Sequence, residues 1–414
     1  MGSGRPSLQK RLSSCIIRPS FWVVGSRFMI TVLVAFGTRP EAIKLAPVYK
    51  EFRSRADRIR LVCCTTGQHR ELLDQVLAIF EIRPDYDLGV LKEDQSLFHV
   101  TTTVMEGTKD ILLNEKPDIV VVQGDTTSAF AAALAAFYLR IPIAHVEAGL
   151  RSYDRFQPYP EEINRTFISH MADLNLCPTA RAAENLVREQ VDSSSVHVTG
   201  NTVIDALLRT VDLLKHSGQE HQYLAELGLP RGRMILVTGH RRENFGPGLA
   251  NLSYALRDLV EKYDDLLVVY SLHPNPNVRR PVQSILGAQE RVRVIPPPDY
   301  FRFVALMNAA FFIITDSGGI QEEAPSLKKP VLVARNVTER PEAVEAGAAI
   351  LVGTDREKIV REASLLLDDP ARYSSMIVDR NPFGDGHASE RIVDLIEDFL
   401  RVRLGSRGGK RALT

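Results

Sequence analysis

The sequence predicts an α/β fold built from two Rossmann-like, doubly wound domains that face each other across a cleft. Three observations predict it. Short apolar runs rich in Val and Ile alternate with longer helical patterns along the chain, and most runs are continuously apolar, as expected for parallel strands buried on both faces. The chain has 414 residues, beyond the ~250–300 at which a single core stops growing. Finally, LVAFGTRPE at 33–41 is echoed by ILVTGHRRE at 235–243, each a first strand, a glycine and a cationic loop entering a helix.

The elements follow in order. Residues 1–28 carry Arg5, Lys10, Arg11, Arg18 and Arg27 and no acid, and are expected to be an extension without fixed structure, ahead of Met29 and the first strand. The strand candidates of the first domain (29–203) are ITVLVAFG (30–37), IRLVCCTT (59–66), DIVVVQG (118–124), IPIAHVEA (141–148), DLNLCP (173–178) and VHVTG (196–200). The boundary falls within 201–232, where the helical run NTVIDALLRTVDLLKHS gives way to turn chemistry in LGLPRGR. The second domain (204–385) has MILVTG (234–239), LLVVYSL (266–272), RVRVIPP (291–297), FFIITDS (311–317), PVLVAR (330–335) and AAILVG (348–353). A loop rich in Gly, Pro and Asn then leads into an amphipathic helix at 386–404, expected to cross back to the first domain, and a frayed tail at 405–414.

Composition excludes several classes. Lys+Arg and Asp+Glu are both 51, so no basic excess points to nucleic acid, and any anion site is local. No apolar stretch approaches the ~18 residues of a membrane span. Cys15, Cys63, Cys64 and Cys177 have neither metal-ligand nor disulfide spacing, so they read as reduced, structural thiols of a cytoplasmic protein. Cys63 and Cys64, adjacent in one strand, should point to opposite faces. The motifs GxGxxG, GxxxxGK[ST], HExxH and GxSxG are absent, and no metal or cofactor is expected.

Ligands of open α/β sheets sit beyond the carboxyl ends of the strands, so the polar residues found there are the candidates. After the first strand come Gly37, Thr38, Arg39, Pro40 and Glu41, then Lys44; a tight turn, a helix start and two cations suit phosphate. Asp125 and Glu147 end two strands expected to be neighbours, and Glu161 sits in PYPEEINR with Glu162, Asn164 and Arg165 nearby. Clustered carboxylates shift one another's pKa, which marks sites of acid–base chemistry. In the second half, TGHRRENFG (238–246) supplies His240, a natural proton shuttle, with Arg242 and Asn244. His273 ends another strand. Ser317, Gly318 and Gly319 open a helix whose amides suit a phosphate, and Glu323, further along it, suits ribose hydroxyls.

Together these motifs resemble the non-hydrolysing UDP-N-acetylglucosamine 2-epimerase family. The resemblance runs from about Met29 to Leu400 and rests on FGTRPEAIKLAPV (36–48), TGQHRELLD (66–74), QGDTTSAFAAALAAF (123–137), HVEAGLRS (145–152), PEEINR (160–165), GNTVIDAL (200–207), TGHRRENFG (238–246), LHPN (272–275), TDSGGIQEEAP (315–325) and ER-PEAVEAG (339–347). It implies a glycosyltransferase-B-like fold and reversible epimerisation at C2 of UDP-N-acetylglucosamine to UDP-N-acetylmannosamine, through UDP elimination and a glucal-type intermediate, supplying cell-surface polysaccharide. It implies catalytic roles for Asp125, Glu147, Glu161 and His240, with the split into base and acid open. It implies UDP or substrate contacts from Arg39, Lys44, Arg242, Asn244, His273, Phe303, Ser317, Gly318, Gly319 and Glu323. Gln68 and His69 match the region where some relatives take a second UDP-sugar as activator, and the family tends to homodimers. Tyr159 stands where many relatives have Trp, which leaves sugar preference open: another UDP-sugar, such as a UDP-diacetamido-uronic acid, or glycosyl transfer on the same fold, is the alternative.

Overall fold

The computed structural model describes residues 29–67, 70–90, 95–228, 232–239, 246–272 and 275–411. The expected 1–28 extension and the candidates Gln68, His69, His240, Arg242, Asn244 and His273 lie outside the described residues.

Among the described residues, two wholly parallel sheets form. The first has seven strands in the order β3-β2-β1-β4-β5-β6-β7. They are β1 (Ile30–Phe36), β2 (Ile59–Thr65), β3 (Tyr86–Asp87), β4 (Ile119–Gln123), β5 (Ile143–Val146), β6 (Leu174–Cys177) and β7 (Val196–Val198). The second has six, in the order β10-β9-β8-β11-β12-β13. These are β8 (Arg233–Thr238), β9 (Leu266–Ser271), β10 (Val292–Ile295), β11 (Phe312–Thr315), β12 (Val331–Val333) and β13 (Ala349–Leu351). Each sheet reverses direction beside its first strand, so the carboxyl ends of β1 and β4, and of β8 and β11, flank the crevice where such folds bind ligands. The sequence echo falls at equivalent places: β1 lies between β2 and β4, and β8 between β9 and β11. The two-residue strand β3 escaped the sequence reading because it is too short to carry a hydrophobic period; it pairs Tyr86 with Cys64 and Asp87 with Thr65 at the sheet edge.

Burial on both faces explains the continuous apolar runs. Val32, Val34 and Phe36 of β1 enter one core while Leu33 and Ala35 enter another. Met234 and Leu236 of β8 likewise part from Ile235 and Val237. Cys63 and Cys64 divide between the two faces of β2, and both are free. Burial pushes the thiols of Cys64 and Cys177 up to about 12, so they stay protonated and inert.

The core containing Val32 and Val34 continues without a break through Val304 and Ile313 of the second half to Ile392 and Ile396 of the last helix. Two chain crossings join the halves. The helix Thr202–Ser217 carries the chain forward and packs on the helices Arg39–Ser54 and Tyr300–Ala309. The return crossing lies against its start: the Asn201 N–H donates to the Phe383 carbonyl at 2.7 Å. A Cβ on Gly384 would stand 3.3 Å from the Asn201 nitrogen, so glycine permits this backbone contact. Asp205 then accepts the Ser389 N–H and hydroxyl, both at 2.7 Å, at the start of the final helix, Ala388–Arg411. That helix returns to the first half, where Arg55 meets Asp394 at 2.6 Å and Arg58 meets Glu397 at 2.6 Å. It also runs past the expected end at 404, since extending an existing helix needs only one residue ordered per new hydrogen bond. No described helix is long and apolar enough to cross a membrane.

Candidate active site

The loop after β1 is set by a buried carboxylate. Glu41 accepts the Gly37 and Thr38 N–H groups at 3.1 and 2.7 Å, closing a capping box at the start of the helix Arg39–Ser54. Its other oxygen accepts the Thr126 hydroxyl at 2.8 Å. Thr126 caps the helix Thr127–Tyr138 by accepting the Ala129 N–H at 3.0 Å. One carboxylate therefore ties the loop carrying Arg39 to the loop carrying Asp125. Burial raises the Glu41 pKa, against these hydrogen bonds.

β4 and β5 pair Gln123 with Val146, so Asp125 and Glu147 emerge side by side, as neighbouring strand ends should. Glu147 has φ +66°, a left-handed conformation that a residue with a side chain adopts only under constraint. Beneath them lies His145, fully buried, whose Nε2–H donates to the Gly124 carbonyl at 2.7 Å. Burial drops its pKa to about 4, so the ring is a neutral prop.

The two acids have different partners. Glu147 forms an ion pair with Lys44 and accepts the Gln123 side-chain N–H at 2.9 Å. Burial would raise its pKa, but Lys44, with Arg340 and Arg165, outweighs burial and holds it below the ordinary value. Asp125 forms an ion pair with Arg165, and its backbone carbonyl accepts the Asn164 side-chain N–H at 2.9 Å. Here burial prevails, helped by the charge of Glu147, and the Asp125 carboxyl is raised despite Arg165. Neighbouring carboxyls pushed in opposite directions are the usual preparation for acid–base work.

Glu161 opens the helix Glu161–Met171 that carries Asn164 and Arg165, and its side chain makes no hydrogen bond or ion pair among the described residues. Its neighbour Glu162 is structural, accepting the Ser152 and Tyr153 N–H groups at 3.0 and 2.9 Å.

In the second half, the Ser317 N–H is already used, donating to Thr315 Oγ1 at 3.0 Å. Of the three amides expected to face a phosphate, those of Gly318 and Gly319 remain, in the first turn of the helix Gly318–Glu323 where no intrahelical acceptor exists. Glu323 ends this helix. Burial, with the charge of Glu322 beside it, pushes its carboxyl up to about 8. Glu322 forms an ion pair with Arg340 and accepts the Asn201 side-chain N–H at 3.0 Å.

A cavity of about 510 Å³ lies between the halves. Arg39 and Lys44 line one side; Phe303, Ser317, Gly319 and Glu323 line the other, all of them sequence candidates. Lys44, which also holds Glu147, links the cavity to the acid pair. A model of the UDP-N-acetylglucosamine 2-epimerase family matches residues 51–397. This chain belongs to that family. The UDP-N-acetylglucosamine 2-epimerase of Escherichia coli (strain K12) is 50% identical over 370 residues, covering 89% of this chain and 98% of that protein. The Campylobacter jejuni protein of the same name is 47% identical over 371 residues, covering 88% and 97%. The crystal structure of the Neisseria meningitidis UDP-GlcNAc 2-epimerase bound to UDP-GlcNAc superposes with a TM-score of 0.82 at 46% identity, covering 89% of this chain and all of that one.

Several residues around the cavity and the acid pair of this epimerase-family chain were not among the sequence candidates. Arg340 acts electrostatically on both Lys44 and Glu147 from the opposite half. Its run, 339–347, belongs to the family resemblance, but an arginine in a loop carries no signal of which cleft it faces. Arg165 and Asn164 lay beside Glu161 in sequence, and only folding shows that they serve Asp125.

Proposed function

We propose that this protein inverts C2 of UDP-N-acetylglucosamine reversibly, giving UDP-N-acetylmannosamine. The observation that carries this reading is the cavity between the halves, with cations and helix amides on its walls and, joined to it through Lys44, two carboxyls of opposite pKa shift.

The C2 proton of the sugar is not acidic, because no carbonyl adjoins it. Cleavage of the C1–O bond first sends the electron pair to the UDP β-phosphate and leaves positive charge at C1. Arg39 and the Gly318 and Gly319 amides stabilise the departing phosphate, with Ser317 and Lys44 at its edge. Glu147, kept ionised, faces the oxocarbenium-like ring. Loss of the C2 proton then forms the C1–C2 double bond of a glucal. Asp125, which retains a proton to higher pH, serves one face of C2, and Glu161 and His240 complete the exchange at the other. Protonation at the opposite face and return of the UDP oxygen to C1 give the epimer. Phe303, Arg242, Asn244 and His273 complete the substrate contacts, and Glu323 holds the ribose.

Two finer features belong to the same reading. A second UDP-sugar acts as activator near Gln68 and His69. The protein works as a cytoplasmic homodimer, joined through three neighbouring helices, Leu97–Glu115, Thr127–Tyr138 and Glu161–Met171, on which Phe98, Phe137, Tyr138 and Phe167 are 52–85% exposed. Sedimentation should give a dimer that Phe137→Glu converts to monomer.

Proton NMR of UDP-N-acetylglucosamine with the enzyme in D₂O tests the activity. Deuterium at C2 together with a manno-configured product is expected. Release of UDP with no label and no epimer would overturn the reading in favour of glycosyl transfer.

A further inference from the structure

One buried group of the cavity is unused by that reaction. Tyr300 begins the helix Tyr300–Ala309, whose first turn is fixed by Asp299 accepting the Arg302 N–H at 2.9 Å. The residue is 5% exposed, and its ring lies 6.2 Å from that of Phe80 in the first half. Tyr300 lines the cavity, yet its hydroxyl has no hydrogen-bond partner among the described residues. The charged groups that act on the phenol are Glu323 and Arg39, both on the cavity wall. Folded proteins rarely leave a buried hydroxyl unpaired, and one retained at a binding cavity marks a contact that a ligand or its solvent completes.

We propose that Tyr300 is a second ribose-reading residue: its hydroxyl donates to one ribose hydroxyl oxygen of the bound nucleoside diphosphate, while the adjacent ribose hydroxyl donates to Glu323. The inference rests on the UDP-sugar reading above. The chemistry fits a vicinal diol. A carboxyl accepts through an oxygen in either protonation state, a phenol can donate, and two neighbouring hydroxyls offer one donor to the first and one acceptor to the second. Arg39, a donor only, cannot take the accepting role of Glu323, and it serves the phosphate side. A site built around such a pair discriminates against a nucleotide lacking one hydroxyl, because the partner is then stranded in a dry wall.

Calorimetric titration of wild type and Tyr300→Phe with UDP, 2′-deoxy-UDP and 3′-deoxy-UDP tests this. Tyr300→Phe should bind UDP about 3–10-fold more weakly, the worth of one neutral hydrogen bond. It should lose the same factor of discrimination against one deoxy analogue and none against the other. The loss should appear in KM rather than kcat, since a remote ribose contact is equally present in ground and transition states. Without ligand the variant should melt no lower than wild type, because no bond within the protein is removed. Unchanged UDP affinity, or a loss equal for all three nucleotides, would overturn the proposal. Failure of the wild type itself to bind UDP would instead sink the functional reading on which it rests.

Discussion

Lys44, one turn into the first helix, forms an ion pair with Glu147 at the end of β5, 103 residues away. Burial acts against both charges. Even so, Lys44 is raised by the charges of Glu147 and Glu322, and Glu147 is lowered by Lys44, so the pair stays ionised within the site. This contact joins the helix that follows β1 to the acid rim beyond β5.

Removing the cation should therefore change the pH profile and not only the rate. In Lys44→Met, burial of Glu147 is offset only by Arg340 and Arg165, and its pKa rises. The acidic limb of kcat/KM should move to higher pH by about 1–3 units, the usual effect of an opposite charge. A limb that stays in place in a steady-state pH series would refute the coupling.

The acids should be separable from the fold. Asp125→Asn, Glu147→Gln and Glu161→Gln are each expected to cut turnover about 10²–10⁴-fold, as acid–base groups do, while circular dichroism keeps the wild-type fold. Near-normal turnover in all three would remove the site assignment.

Glu322 is 2% exposed and binds Arg340 on one side and Asn201, at the crossing between the halves, on the other. Glu322→Gln should destabilise the protein by about 1–3 kcal/mol in urea unfolding, since it leaves a charged donor poorly matched. KM should rise as well, because Arg340 loses the partner that aims it towards Lys44 and Glu147.

Gly149 follows Glu147 closely and has φ +88°; a Cβ there would lie 2.1 Å from the Ala182 carbonyl oxygen. Gly149→Ala should cost at least about 1–3 kcal/mol from backbone strain alone. A thermal melt equal to wild type would show that the loop relaxes freely.

Glu323 gives a stability prediction of unusual sign. Its folded-state carboxyl sits at about 8, above the ordinary value of 4.5. The folded protein therefore binds more protons than the unfolded chain between those values, and stability falls as pH rises through that window. Wild type should lose melting temperature from about pH 4.5 to 8 relative to Glu323→Gln, and the difference should level off above it. A wild type that gained melting temperature on the variant as the pH rose through this window would contradict the buried setting of this carboxyl.

Much of this was legible in the residues. Strand-length apolar runs, most of them continuous, marked all the strands except β3, and the polar segments that follow them named Arg39, Lys44, Ser317, Gly319 and Glu323 of the cavity wall. The oversights share one cause. Tyr300 reads as a helix residue, Glu322 as a surface acid and Arg340 as a loop cation, because nothing local distinguishes a side chain that faces the other half. The Ser317 amide likewise seemed open until the Thr315 hydroxyl, two residues earlier, was found to accept it.

By itself the sequence determined the parallel α/β class, the repeated strand–glycine–cation unit and the inventory of cationic and acidic groups at the strand ends. Those properties depend on hydrophobic period and turn chemistry, which act over a few neighbouring residues. Only the tertiary structure decided that Lys44 neutralises Glu147, that Arg165 serves Asp125 and that Glu41 locks two loops together. Such pairings join residues far apart in the chain, and the balance of burial against charge that sets each pKa exists only once the two sheets are packed.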